Sequence, residues 1–303
     1  MRRVIPFFLL IFLVATSVIA LKVTTTINPY YMIVRDIVGD RAEVSLLIGP
    51  GQNPHVFSPT ISDVKRLNEA DLVVANGLEL EVFLENTLEE LTRKGKRVLL
   101  AGESVPPSLL SDEEDGNGEA ATLHSHSINP HVWLDPTNVI HWLDGITAVL
   151  ENLDPDGAAE YRERSFSYAR ALRDLDAWIA EQTSRIPPER RRLVTDHDSF
   201  GYFARRYGFH LIGTVLPGLS AVAEPSARDL AALEDAVRKL GVPAIFVGTT
   251  TNPALATQVA ADTGTRLVVL YTGSLSAANG PAPTYVDLLR YNVTQIVAAL
   301  TES

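Results

Sequence analysis

Beyond residue 20 the chain alternates two hydrophobic patterns. Short apolar runs with a β-branched bias read as strands, and longer stretches with apolar positions three and four apart read as helices. The predicted strands are 21–27, 42–48, 72–75 and 97–101, then 193–195, 210–216, 244–247 and 267–271. Helical patterns fill the gaps at 29–38, 58–69 and 81–94, and again at 200–207, 226–240, 253–263 and 284–300. Pro59 is expected in the first turn of its helix, a favoured position for proline. Between the two series lies a long helical stretch, 137–153 and 155–184, closed by Ile186-Pro187-Pro188.

Strand–helix alternation implies parallel sheets covered by helices on both faces. The expected fold is therefore α/β, with two lobes joined by one long helix. Each lobe is a roughly four-stranded, mainly parallel sheet flanked by helices. The expected boundaries are an N-terminal lobe at 21–136, a helical connection at 137–187 and a C-terminal lobe at 188–303. Residues 102–129 interrupt the first series with no periodicity. They include the acids Asp112, Glu113, Glu114 and Asp115, and a mobile surface loop is expected over 104–128.

The first residues are of another kind. Arg2 and Arg3 precede an apolar run from Val4 to Ala20, which ends on small residues. This is the pattern of an export signal cleaved after Ala20, with an uncleaved membrane anchor as the alternative. Either places the remaining chain outside the cytoplasm.

Composition narrows the chemistry. The chain of 303 residues has 46% hydrophobic and 21% charged residues, which is a globular balance. Its net charge of −11 argues against nucleic acid as a partner. There is no cysteine, so disulfides, thiolate metal sites and cysteine nucleophiles are excluded. Any metal must be held by His, Asp, Glu or water.

The histidines are seven: 55, 124, 126, 131, 141, 197 and 210. Ligands of open parallel sheets gather beyond the carboxyl ends of strands. His55 lies in the loop after the second strand, His131 follows the acidic loop, and His197 ends the first strand of the second series. Pro54 and Pro130 precede the first two and restrict their approach. Imidazoles suit zinc, copper, nickel and iron. From placement alone, a three-histidine metal site and three unrelated histidines both remain open. His141 and His210 read as packing or surface residues.

Several motifs carry a resemblance. Pro54-His55-Val56-Phe57, Pro59-Thr60-Ile61-Ser62-Asp63 and the run from Ala70 to Gly77 resemble the zinc/manganese solute-binding proteins of ABC importers, the cluster A-I receptors. The run from Asn129 to Pro136 (NPHVWLDP) is similar to a second family motif, and His197 with Phe200, Tyr202, Phe203 and Tyr207 to a third. Leu219-Ser220, Glu224-Pro225-Ser226 and Thr284-Tyr285-Val286-Asp287 continue the match in the family's order.

The resemblance implies two lobes on a rigid linking helix and metal ligands at His55, His131 and His197. Histidine at the third position resembles the zinc-type branch, so Zn2+ is the expected ion, with Mn2+ the alternative. It also implies capture of a divalent metal ion outside the cytoplasm and delivery to an ABC importer membrane permease, by a monomer that is not an enzyme. His124 and His126 then resemble an auxiliary metal-collecting loop. Because imidazole binds metal only when neutral, affinity is expected to fall between pH 7.5 and 5.

The chain departs from the family pattern at two points. Gly273 stands where the family usually has an aspartate ligand, and Gly248 at a second, often acidic position. Water, Asp196, Asp198, Glu224 or the loop histidines could complete the site. Two other readings follow from the gap: an adhesion or scaffold module with a degenerate metal site, and a three-histidine zinc hydrolase or hydratase. Asp135 is read first as a helix cap, Trp133 and Tyr202 as core residues, and Glu224 as part of a helix start.

Overall fold

A computed structural model describes residues 21–110, 128–218 and 224–301. The first half contains β1 (Leu21–Thr25), α1 (Asn28–Val38), β2 (Ala42–Leu46), α2 (Ile61–Glu69), β3 (Leu72–Ala75), α3 (Glu85–Arg93), β4 (Arg97–Leu100) and the short α4 (Pro107–Leu110). Two long helices follow, α5 (Pro136–Leu153) and α6 (Ala158–Ser184). The second half contains β5 (Arg192–Thr195), α7 (Gly201–Tyr207), β6 (His210–Thr214), α8 (Ala227–Leu240), β7 (Ala244–Gly248), α9 (Ala254–Thr263), β8 (Arg266–Leu270) and α10 (Tyr285–Thr301).

Both sheets have four strands, all pairs parallel, and the same topology: β2-β1-β3-β4 and β6-β5-β7-β8. The two halves thus repeat in architecture. In each, the chain turns back across the sheet between the first and third strands in sequence, the place where parallel sheets open a crevice. The central strands β3 and β7 are buried throughout, as strands covered on both faces require.

The two-lobed α/β expectation matches this fold. The differences lie at element ends and have local causes. Helix α2 begins at Ile61 because Thr60 is its N-cap: Thr60 and Asp63 form a reciprocal capping box, which leaves Pro59 outside the helix. The helix expected over 81–94 opens with a 3₁₀ turn, Val82–Leu84, before α3. The interval 102–129 is not all loop, since Gly102–Ser104 is a 3₁₀ turn and α4 follows it. The expected leader at residues 1–20 and the segment carrying His124 and His126 lie outside the described residues.

One hydrophobic core spans both halves. Helix α6 packs against α5, α1 and α10, and buries Tyr161, Leu172, Leu175 and Ile179. A second core lies between the second sheet and helices α8 and α9. The turn between α5 and α6 is clasped by Arg41, whose Nε and Nη2 donate to the two carboxylate oxygens of Asp154 at 2.8 and 2.9 Å. Tyr161 Oη donates to the same carboxylate at 2.6 Å.

Candidate metal centre

Pairing of β2 with β1 continues past the strand through Leu47 and Ile48, and the chain then turns over Gly49–Gln52. At the end of that turn the backbone N–H of His55 donates to Asn53 Oδ1 at 2.9 Å, which curls the loop and aims the imidazole inward. Gly51 N–H donates to Ser274 Oγ at 2.9 Å, so this loop is tied to the segment after β8.

His131 precedes the 3₁₀ turn Val132–Leu134 that leads into α5. Asn129 holds it twice. Its Oδ1 accepts from the His131 backbone N–H at 3.1 Å and pairs with Nδ1 of the ring at 2.8 Å. The amide of Asn129 donates to the Asp198 carbonyl at 3.0 Å, and its own carbonyl accepts from Tyr202 Oη at 2.7 Å. His197 follows β5 directly. Asp196 Oδ1 accepts from the His197 backbone N–H and pairs with its Nδ1, both at 2.9 Å, while Oδ2 accepts from Gly248 N–H at 2.9 Å.

These supports bring three imidazoles together from loops far apart in sequence. The Nε2 atoms of His55 and His131 lie 3.1 Å apart, as do those of His131 and His197. One ligand nitrogen from each residue falls within 4.8 Å of the others. The Nδ1 atoms of His131 and His197 face oxygen acceptors and so carry their protons there. When those rings are neutral, their Nε2 lone pairs point at one another, an arrangement that a shared cation satisfies and a hydrogen bond does not.

Burial holds the His55 imidazole down to about 3, with the neighbouring His197 adding to the effect and Asp196 opposing it. His131 is also held well below its ordinary value, first by burial and then by His197 and His55. Both shifts favour the neutral form of these rings, the form that binds metal. Asp196 is buried, which raises a carboxyl, but its bonds from His197 and Gly248 prevail and lower it.

The acids considered as a fourth ligand take other places. Asp196 stands behind His197, and Asp198 accepts from Asn129. Glu224 is exposed, two residues before the α8 cap Ser226. Asp135 caps α5 by accepting from Thr137 N–H at 2.8 Å. His141 and His210 are exposed. Trp133 is fully buried, yet its ring lies 5.3 Å from that of His131, and its Nε1 donates to Thr272 O at 2.7 Å. Tyr202 is likewise both core residue and support. The support from Asn129 is a finding of the structure, and its local signal is an Asx residue two before a histidine in the NPH motif.

The pattern has relatives over nearly its whole length. The family model described as zinc-uptake complex component A, periplasmic (ZnuA), matches residues 23–299. The chain belongs to this family. It is similar to the zinc-binding protein TroA of Treponema pallidum, 33% identical over 288 residues, covering 92% of this chain and 88% of TroA. It is also similar to the manganese-binding lipoprotein MntA of Halalkalibacterium halodurans, 30% identical over 283 residues, covering 93% of this chain and 89% of that protein. The solved structure of the periplasmic zinc-binding protein TroA matches with a TM-score of 0.83 at 31% identity, covering 93% of this chain and all of that one. Membership in a family of uptake-complex components makes the chain a binding component and not an enzyme.

Proposed function

We propose that the protein is an extracytoplasmic receptor that captures Zn2+ between its two lobes and delivers it to the membrane permease of an ABC importer. The proposed ligands are the Nε2 atoms of His55, His131 and His197. What carries this reading is the convergence of three nitrogens, with His131 Nε2 3.1 Å from each of the other two and all within 4.8 Å, and with the opposite ring nitrogens of His131 and His197 already committed to oxygen. Ligand nitrogens around a tetrahedral Zn2+ at about 2.0–2.1 Å stand about 3.3–3.4 Å apart, so the two 3.1 Å pairs need only a small outward shift to admit the ion.

The choice of zinc rests on the donor set. Relatives are named for zinc, manganese and iron, so family membership alone leaves the metal open. Three imidazoles without a carboxylate favour Zn2+ over Mn2+, which prefers oxygen. Water is the proposed fourth ligand. An export leader at 1–20, lobes at 21–136 and 188–303 about a connection at 137–187, and action as a monomer belong to the same proposal.

Competitive titration of the chelator-stripped chain with Zn2+ and Mn2+ tests it. Tight binding of one Zn2+, abolished by His197→Ala, is the expected result. Failure to bind either metal would leave the scaffold reading in its place.

A further inference from the structure

Glu81 is a buried acid, 4% exposed, whose partners are hydrogen-bond donors. Its Oε1 accepts from Thr26 Oγ1 at 2.6 Å and from Asn76 N–H at 2.8 Å, and its Oε2 accepts from Gly77 N–H at 2.9 Å. The carboxylate thus gathers the chain just beyond β1 and β3, where the first sheet changes direction. The turn that returns it there passes through Leu78 and Glu79, both in the left-handed region, with φ of 52° and 62°. Side chains rarely adopt that conformation, so the surrounding bonds must impose it. The neighbouring strand end helps: Gly102 N–H donates to Asn76 O at 2.8 Å, and a Cβ on Gly102 would stand 2.8 Å from that oxygen.

Asn76 carries the arrangement onward. It is fully buried, and its Oδ1 accepts from Tyr30 Oη at 2.6 Å. Its Nδ2 donates to Pro130 O at 3.0 Å. Pro130 immediately precedes His131. The histidine is therefore held on its ring side by Asn129 and on its backbone side by Asn76, and Asn76 is fixed by Glu81. Two carboxylate oxygens meet three donors here. An amide at position 81 would offer one oxygen and turn an NH2 group toward donors.

We propose that Glu81 is a positioning residue for His131, setting through Asn76 and the Pro130 carbonyl where that imidazole stands relative to His55 and His197. This rests on the three-histidine reading of the site. Outer supports of metal ligands typically change affinity by about 10–100-fold when altered.

The test measures Zn2+ affinity and the visible absorption of bound Co2+, which reports coordination geometry, for Glu81→Gln and Asn76→Ala. Each is made in the otherwise unchanged chain, in His131→Ala and in His55→Ala. Both variants are expected to weaken Zn2+ binding by about tenfold and to alter the Co2+ bands. With His131 removed, neither should weaken binding further; with His55 removed, the full loss should persist. Asn76→Ala leaves Glu81 in place and decides the matter alone where Glu81→Gln fails to fold.

Unchanged affinity and Co2+ bands in Asn76→Ala, or equal losses in both histidine backgrounds, would overturn the positioning role while leaving the receptor reading intact. A parent chain that binds neither ion would overturn both.

Discussion

The ring of Pro54 occupies the space that a side chain at Gly273 would enter: a Cβ built there stands 3.2 Å from Pro54 Cδ and 3.3 Å from Cγ. Pro54, which precedes His55, and Gly273, which follows β8, are thus one packing unit. Gly273→Asp must push this ring aside, at about 1–3 kcal/mol for an overpacked core position. Where it succeeds, it adds an oxygen donor. The expected outcome is a shift of about tenfold in relative affinity toward Mn2+, an ion suited to carboxylates, in parallel Zn2+ and Mn2+ titrations. An unchanged ratio would show that the carboxylate does not reach the ion.

Asp196→Asn should weaken Zn2+ binding by about 10–100-fold, because the charged acceptor behind His197 Nδ1 is lost. Glu224→Ala should leave affinity unchanged, since that side chain is exposed and away from the cluster. The two titrations together separate a support of His197 from a fourth ligand at the helix start.

The pH dependence should appear in stability. His55 titrates at about 3 in the folded chain and near 6.5 when unfolded. Between those values the unfolded state binds the extra proton, so stability rises with pH across this window and is lost on acidification toward 3. Burial of His131 acts in the same direction. Chelator-stripped protein should therefore lose several degrees of Tm from pH 7 to pH 4, with a shallower slope in His55→Ala. Equal slopes would contradict the depressed imidazole.

Trp133→Phe removes the bond from the indole to Thr272 O and leaves a buried carbonyl without that donor. The expected penalty is about 1–3 kcal/mol. At roughly 2–4 °C per kcal/mol, thermal unfolding should fall by several degrees. The Tyr285 hydroxyl bond to Trp133 O is to the backbone and survives the change.

Legibility in the sequence followed the range of the interaction. Strand β3 was readable to the residue because Leu72–Ala75 is continuously apolar between Asp71 and Asn76-Gly77. At the start of α2 a proline signal competes with the Thr60–Asp63 box, and the box prevails. The three histidines could be nominated from strand-end loops and motif resemblance. Their supports could not: Asn76 lies 54 residues from Pro130, and Asn129 lies 69 from Asp198. No local period connects such pairs. The Glu81 carboxylate was hidden for the same reason, since its place in a helical pattern gave no hint of the donors above it.

The histidines stand at positions 55, 131 and 197, and no short segment of the chain contains two of them. An unfolded chain holds the three ligand imidazoles far apart, and only the stretch His124, His126 and His131 sets histidines close together, so the three-histidine site belongs to the folded form. By mass action, an ion at a hundred times its Kd adds about 2.7 kcal/mol to stability. Cargo and lifetime are then linked. The loaded receptor opens less often and resists proteases, whereas the emptied one is the form that quality control reaches first, so metal supply would regulate how much receptor persists.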